Sequence, residues 1–306
     1  MSMQLVFSQV LIILIYVVIG FCAGKVHLID PNQRKFLSRL CSELILPFTI
    51  LSATSKELSG SDVRNLLIAT ALGFAVFLGT SGISLLVHRA FGAGRMRTAA
   101  LTSLITYPNC TFLGLPLCLA LFGEIAVLYS AVMIIAFNVL FFTLQYSLFM
   151  PGKPNLKNLC TPAMISTVIM LLMLSFGVHF PVPVQDVVSG IGSIISPLSL
   201  IIIGVMLSEN SLVRIFTEKL SYLVVLLRNL LIPLLVVLIL KLLPLDTASK
   251  MCLLVYLGCP CATLTTIYAM QLDLEASLCV NSVLLSTLCF AFTLPLIILF
   301  GQFILF

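Results

Sequence analysis

Long apolar runs separated by short polar connections set the rhythm of this chain. They extend from Leu5 to Ala23, Phe36 to Ala53, Asn65 to Val87, Ala99 to Phe122 and Ile125 to Phe149. Five more follow, from Pro162 to Gly177, Val187 to Leu207, Lys219 to Leu240, Ala248 to Met270 and Ala276 to Phe306. Most reach or approach the ~20 residues that a helix needs to cross a bilayer. None shows the broad polar stripe of a helix half exposed to water. The pattern predicts an all-α membrane protein of ten transmembrane helices, five in residues 1–150 and five in residues 151–306. The first run has no basic region ahead of it and ends at Lys25 without a small-residue cleavage site, so it is expected to be retained and not removed as a signal peptide. The connections are too short to hold a soluble catalytic domain.

Two runs carry an interruption of the same kind. "ITYPNCTFLGLP", from Ile105 to Pro116, places Pro108 in the middle of the fourth run, and "CPCATLTT" places Pro260 in the middle of the ninth. Proline removes a helix hydrogen bond and its ring clashes with the carbonyl four residues back, at a cost of about 3 kcal/mol or more. In hydrocarbon the freed carbonyl finds no water, so such a break survives only where it is packed in protein or faces a wet cavity. Asn109, Cys110 and Thr111 follow the first proline; Cys261, Ala262, Thr263, Thr265 and Thr266 follow the second. Each set begins a new half-helix, whose amides favour an anion. Mere kinks in packed helices are the alternative reading, because proline is commoner in membrane helices than in soluble ones.

The halves also echo each other. "GKVHLIDP" from Gly24 is answered by "GVHFPVP" from Gly177, and Val26-His27 maps onto Val178-His179 at an offset of 152 positions. Pro108 maps onto Pro260 at the same 152, and Pro47 onto Pro197 at 150. A repeat with an odd number of spans reverses its direction across the membrane, so the two five-helix repeats are expected to be inverted. Such folds place their ligand near the midplane, at helices broken in corresponding positions.

Composition agrees with a bilayer: 60% of the residues are hydrophobic and 9% charged, and the mean hydropathy is +1.21. The net charge of +5 does not argue for nucleic acid, because the basic residues are scattered through short connections. They carry topology instead. Odd-numbered connections hold Lys25, Arg34, Lys35, Arg39, Arg89, Arg95, Arg97, Lys153, Lys157, Arg214 and Lys219, whereas the even ones hold Lys56, Arg64, Lys241 and Lys250. The positive-inside rule then puts the odd connections in the cytoplasm and both termini outside. The ten cysteines fall almost wholly inside apolar runs, where they act as small hydrophobes. Cys259-Pro260-Cys261 lacks metal-ligand spacing, and no metal site or cofactor is expected.

At the two breaks the chain resembles the auxin efflux carrier family of permeases, bacterial type, which includes plant auxin exporters and bacterial malate and malonate carriers. The resemblance is carried by "YPNCTFLGLPLCLALFG", "AFNVLFFTLQ", "RNLLIPLL", "CPCATLTTIYAMQLDLEAS" and "STLCFAFTLPL". It implies two inverted five-helix repeats with crossing broken helices, a bile-acid-symporter/NhaA-like arrangement. It further implies alternating access and a small organic anion as cargo. Carried over by motif, the binding positions are Pro108, Asn109, Asn138, Pro260 and Cys261. The chain lacks the long loop between spans five and six of many plant exporters. It also has Tyr-Pro-Asn where the plant crossover has Asn-Pro-Asn, which weighs against an indole-acid cargo.

Thr111 and Thr263 add hydroxyls at the half-helix starts. Arg228 lies about nine residues into its span, roughly 13 Å from the cytoplasmic end. An intramembrane charge is a functional candidate by default; the competing role is to hold helix ends together by pairing with carbonyls or a carboxylate. Glu43, four residues after Arg39, is either a surface ion pair or the group that couples transport to protons. Asn138 and Asn281 fit interhelical hydrogen bonds, and His27, His88 and His179 are too dispersed for a relay. Gly73, Gly79, Gly82 and Gly204 are expected at close helix approaches.

Together these features predict a secondary transporter, not an enzyme, that carries a small organic carboxylate across the plasma membrane with H+ or Na+ as the coupling ion. A homodimer is a candidate assembly. The crossover is expected to shift against a scaffold of the first, second, sixth and seventh helices, shaped by Pro47 and Pro197. The alternatives are a ligand sensor of the same fold and a bile-acid-type sodium symporter; short loops argue against the first, and few Glu or Gln near the breaks against the second.

Overall fold

The structure is a computed structural model that describes residues 3–56, 59–90, 92, 94–150, 159–272 and 275–305. Lys153, Lys157, the boundary expected after residue 150 and the final residue of the tenth run lie outside the described residues. Among the described residues the protein is helical, with no strand beyond one isolated bridge. Seven of the helices among the described residues are long and apolar enough to cross a membrane. They are α1 (Phe7–Lys25 within Met3–Lys25), α2 (Pro31–Ser55), α3 (Gly60–Arg89), α6 (Ile125–Phe149), α8 (Val182–Ser208), α10 (Lys219–Leu242) and α13 (Ala276–Leu305). The shorter pieces are α4 (Arg95–Thr106), α5 (Cys110–Phe122), α7 (Pro162–Ser175), α9 (Leu212–Thr217), α11 (Thr247–Leu257) and α12 (Thr263–Gln271). The fourth and ninth runs are thus each two helices, α4 with α5 and α11 with α12.

Several helices widen locally. Wide π turns occupy Cys41–Ile45, Cys110–Gly114 and Leu226–Leu231, and in each case a proline sits second in the α-helical segment that follows: Pro47, Pro116 and Pro233. A proline ring presses on the carbonyl four residues back, and here that carbonyl belongs to Glu43, Phe112 or Asn229, inside the wide turn. The extra residue per turn relieves the clash without breaking the helix. A fourth wide turn, Phe141–Gln145, has no such proline.

The core is largely apolar, but the surface is apolar as well, and several polar side chains are fully buried. Phe7, Leu11, Val18, Phe292 and Phe303 are exposed, while Arg228, Asn229, Ser221, Ser282, Ser286, Thr102, Ser103 and Thr265 are all fully buried. Apolar residues outside and polar residues inside are the distribution a lipid solvent imposes.

The chain gathers into two compact units, Met1–Ala69 with Thr111–Ile135 and Cys160–Asn210, and Thr70–Cys110 with Ala136–Leu159 and Ser211–Phe306. In the first unit α1 lies against α8. A Cβ placed on Gly20 would strike the Ile201 carbonyl, one on Gly204 the Val17 carbonyl, and one on Gly24 the Ser208 hydroxyl. Small residues spaced by four on both helices let the backbones touch. Gly79 and Gly82, by contrast, have nothing within 4 Å of such a Cβ, so they do not serve the close approach expected of them. The same unit is tied by the Thr49 hydroxyl, which donates to the Gly192 carbonyl at 2.8 Å, and by Arg34 Nε paired with Glu209 at 2.7 Å. α2 starts on a capping box in which Asp30 accepts the Gln33 amide and the Gln33 side chain accepts the Asp30 amide.

Candidate functional site

The second unit contains both interruptions, and they touch. Proline drives its predecessor out of the helical region, and Tyr107 accordingly ends α4 in an extended conformation at φ −97°, ψ 119°. On the other strand of the crossing, Ala262 is extended at φ −66°, ψ 130° before α12 begins. Between them Pro108 and Cys261 form an antiparallel bridge. The Asn109 amide donates to the Pro260 carbonyl at 2.7 Å, and the Ala262 amide donates to the Tyr107 carbonyl at 2.9 Å.

These bonds decide what the crossing can offer. Half-helix amides at the breaks were expected to be open to an anion, but those of Asn109 and Ala262 are taken by each other's strand. The Cys110 amide turns to the Pro108 carbonyl at 2.8 Å, and the Cys261 amide to the Ser286 hydroxyl at 3.1 Å. In hydrocarbon a broken backbone must satisfy itself, and an antiparallel pairing does so. The donors left at the second break lie one step further on. Ala262 has no side chain able to cap α12, so the first amides of that helix, Thr263 and Leu264, have no intrahelical acceptor.

The opposite ends of the breaks are organised by Arg228. It is fully buried in the wide turn Leu226–Leu231. Its Nε donates to the Cys259 carbonyl at 2.9 Å, and its Nη1 donates to the carbonyls of Thr106 at 3.1 Å and Ile105 at 3.3 Å. Its Nη2 donates to the Leu257 carbonyl. Ile105 and Thr106 close α4, Leu257 closes α11, and Cys259 stands just before Pro260 in the second break. Each helix C-terminus carries roughly half a negative charge, so one guanidinium offsets two of them. Among the described residues no carboxylate lies within ion-pairing distance of Arg228; the two ion pairs are Arg34–Glu209 and Arg39–Glu43.

Neighbouring polar residues stiffen the crossing. Asn229, also fully buried, donates from Nδ2 to the Ser286 carbonyl at 2.8 Å, and the Ser286 hydroxyl donates to the Val283 carbonyl while accepting the Cys261 amide. One serine thereby links the wide turn of α10, the long α13 and the second break. The hydroxyls of Ser103 on α4 and Thr265 on α12 are 2.7 Å apart and fully buried. Aromatic rings flank the first break: Tyr107 lies 5.2 Å from Phe137 and 5.1 Å from Phe141, and those two rings stack at 5.4 Å.

The structure thus brings Pro108, Asn109, Pro260, Cys261 and Arg228 to one crossing, with Thr263 opening α12 beside it. Thr111 is half-buried in the first turn of α5, and Asn138 is buried in α6 one residue after Phe137. Glu43 belongs to the first unit, where it is exposed and paired with Arg39 at 2.9 Å. Asn229, Ser286 and Ser103 escaped the sequence reading; the one available signal was that Asn229 stands beside Arg228 and four residues before Pro233.

Comparison with known families now bears on this arrangement. A family model described as membrane transport protein matches residues 5–154 and again residues 148–298. The chain belongs to that family, the auxin efflux carrier-like permeases. No curated protein matches it in a sequence comparison. The family consists of transporters, not enzymes, and the double match covers two successive stretches of this transporter. With its several apolar spans it is a multi-pass membrane protein.

Proposed function

We propose that the protein is a secondary transporter that moves a small organic carboxylate across the plasma membrane by alternating access. The observation that carries this reading is the charge balance at the crossing. Two helix C-termini contribute about −1 and two helix N-termini about +1, and fully buried Arg228 adds one further positive charge with no carboxylate beside it among the described residues. The surplus is about one positive charge, a match for one carboxylate. The amides of Thr263 and Leu264, the hydroxyl of Thr263, and the side-chain amides of Asn109 and Asn138 are the donors proposed for it.

In this reading the protein has ten spans in two inverted repeats, residues 1–150 and 151–306. α4 with α5 and α11 with α12 make the two broken spans, and α7, 14 residues long, is the short one. Three features support the inversion: the offset of 152 between Pro108 and Pro260, the two successive family matches, and the antiparallel sense of the bridge, which a two-fold axis between the breaks would require. Coupling is to a proton or sodium gradient, with Glu43 as the carboxylate through which a proton would act.

Purified protein in liposomes, offered labelled malate, malonate and lactate under an imposed pH or sodium gradient, tests the reading. Saturable uptake of a carboxylate is expected. Binding without flux would favour a sensor, and the absence of both for every carboxylate would overturn the proposal.

A further inference from the structure

Transporters built on broken helices commonly use unwound carbonyls and half-helix C-termini to hold a coupling cation. In this protein that set of oxygens is the carbonyls of Ile105, Thr106, Leu257 and Cys259, and all four accept hydrogen bonds from Arg228. A guanidinium stays protonated throughout the working pH range and is held by its own backbone. We infer that Arg228 is a tethered counter-cation that occupies the place of a co-transported sodium ion, so that the carrier works without sodium.

The electrostatics give the reason. Without Arg228, two helix N-termini and two C-termini cancel, and an anion would enter a centre of no net charge in a low-dielectric interior. A mobile cation would then have to enter with it. With Arg228 in place the compensating charge is permanent, and four of its five N–H groups are committed to carbonyls. A sodium ion would have to displace those bonds and sit against a like charge. The inference rests on the proposed function for its transport consequence; the cation replacement itself concerns only the fold. Of the two candidate coupling ions it leaves the proton.

The test uses the purified full chain, first without any cargo. Thermal unfolding in detergent is compared in sodium chloride and in choline chloride at equal ionic strength, for the parent, Arg228→Ala and Arg228→Lys. The parent and Arg228→Lys, which both keep a resident cation, are expected to unfold at the same temperature in the two salts. Arg228→Ala is expected to be less stable and to regain about 3 °C or more, saturably, with sodium or with methylguanidinium. Saturable stabilisation of the parent by sodium would overturn the inference, as would an Arg228→Ala protein that folds but responds to neither cation. If Arg228→Ala does not fold, the parent and Arg228→Lys still decide it by their response to sodium. Uptake by the parent of a carboxylate found in the screen is expected to proceed equally in sodium and choline, and uptake that requires sodium would refute the inference. A screen that finds no cargo, with the unfolding results as expected, would remove the proposed function and leave the cation replacement standing.

Discussion

The amide of Asn109 and the carbonyl of Pro260 lie 2.7 Å apart, joining residues 151 positions distant across two interrupted helices. The bond is half of a reciprocal pair, the other half running from Ala262 to Tyr107 at 2.9 Å. Each break supplies the acceptor or donor that the other lacks. Proline makes this possible twice over, since it opens the helix and has no amide of its own to satisfy.

Pro260→Ala restores an amide and a residue compatible with continuous helix. The expected result is a folded protein with slower carboxylate uptake, read from initial rates in liposomes beside the thermal midpoint. An unchanged rate would show that the break at that position is dispensable.

The hydroxyl pair of Ser103 and Thr265, at 2.7 Å, ties the half-helix before one break to the half-helix after the other. Ser103→Ala, Thr265→Val and the double variant should give a coupling energy of about 0.5–1.5 kcal/mol in a stability cycle. Additive losses would mean the two side chains do not share a bond.

Contact between α1 and α8 depends on missing side chains. Gly204→Ala should destabilise the protein by about 1–3 kcal/mol, because the new methyl meets the Val17 carbonyl. Gly79→Ala meets nothing within 4 Å and should be neutral or stabilising by about 0.5–1 kcal/mol. Thermal unfolding of the two variants in detergent measures both, and equal effects would contradict the packing described.

Much of the crossing was legible in the chain because proline acts locally. Pro108 and Pro260 sit mid-run, each followed by polar residues, and that combination marks the two breaks, whereas Pro295 lies inside an unbroken helix. What the breaks do with their hydrogen bonds was not legible, since the partners are brought together only by folding. The amides of Asn109 and Ala262 looked open for that reason. Arg228 shows the same limit: its burial and charge mark it as important, but nothing local reveals that its acceptors are carbonyls of residues 105, 106, 257 and 259. The wide turns before Pro47, Pro116 and Pro233 were missed because hydropathy does not register an extra residue per turn. Gly204 and Gly79 look alike in sequence and differ only in what the fold places beside them.

Uptake kinetics of Asn109→Ala in liposomes test the central claim most directly. The change removes a side-chain donor at the crossing while leaving the backbone bond to Pro260 intact. A carboxylate site at that crossing predicts that the cargo concentration for half-maximal uptake rises about tenfold or more, from the loss of a charge-assisted hydrogen bond of about 1.5–3 kcal/mol. Kinetics indistinguishable from the parent would place the cargo somewhere else.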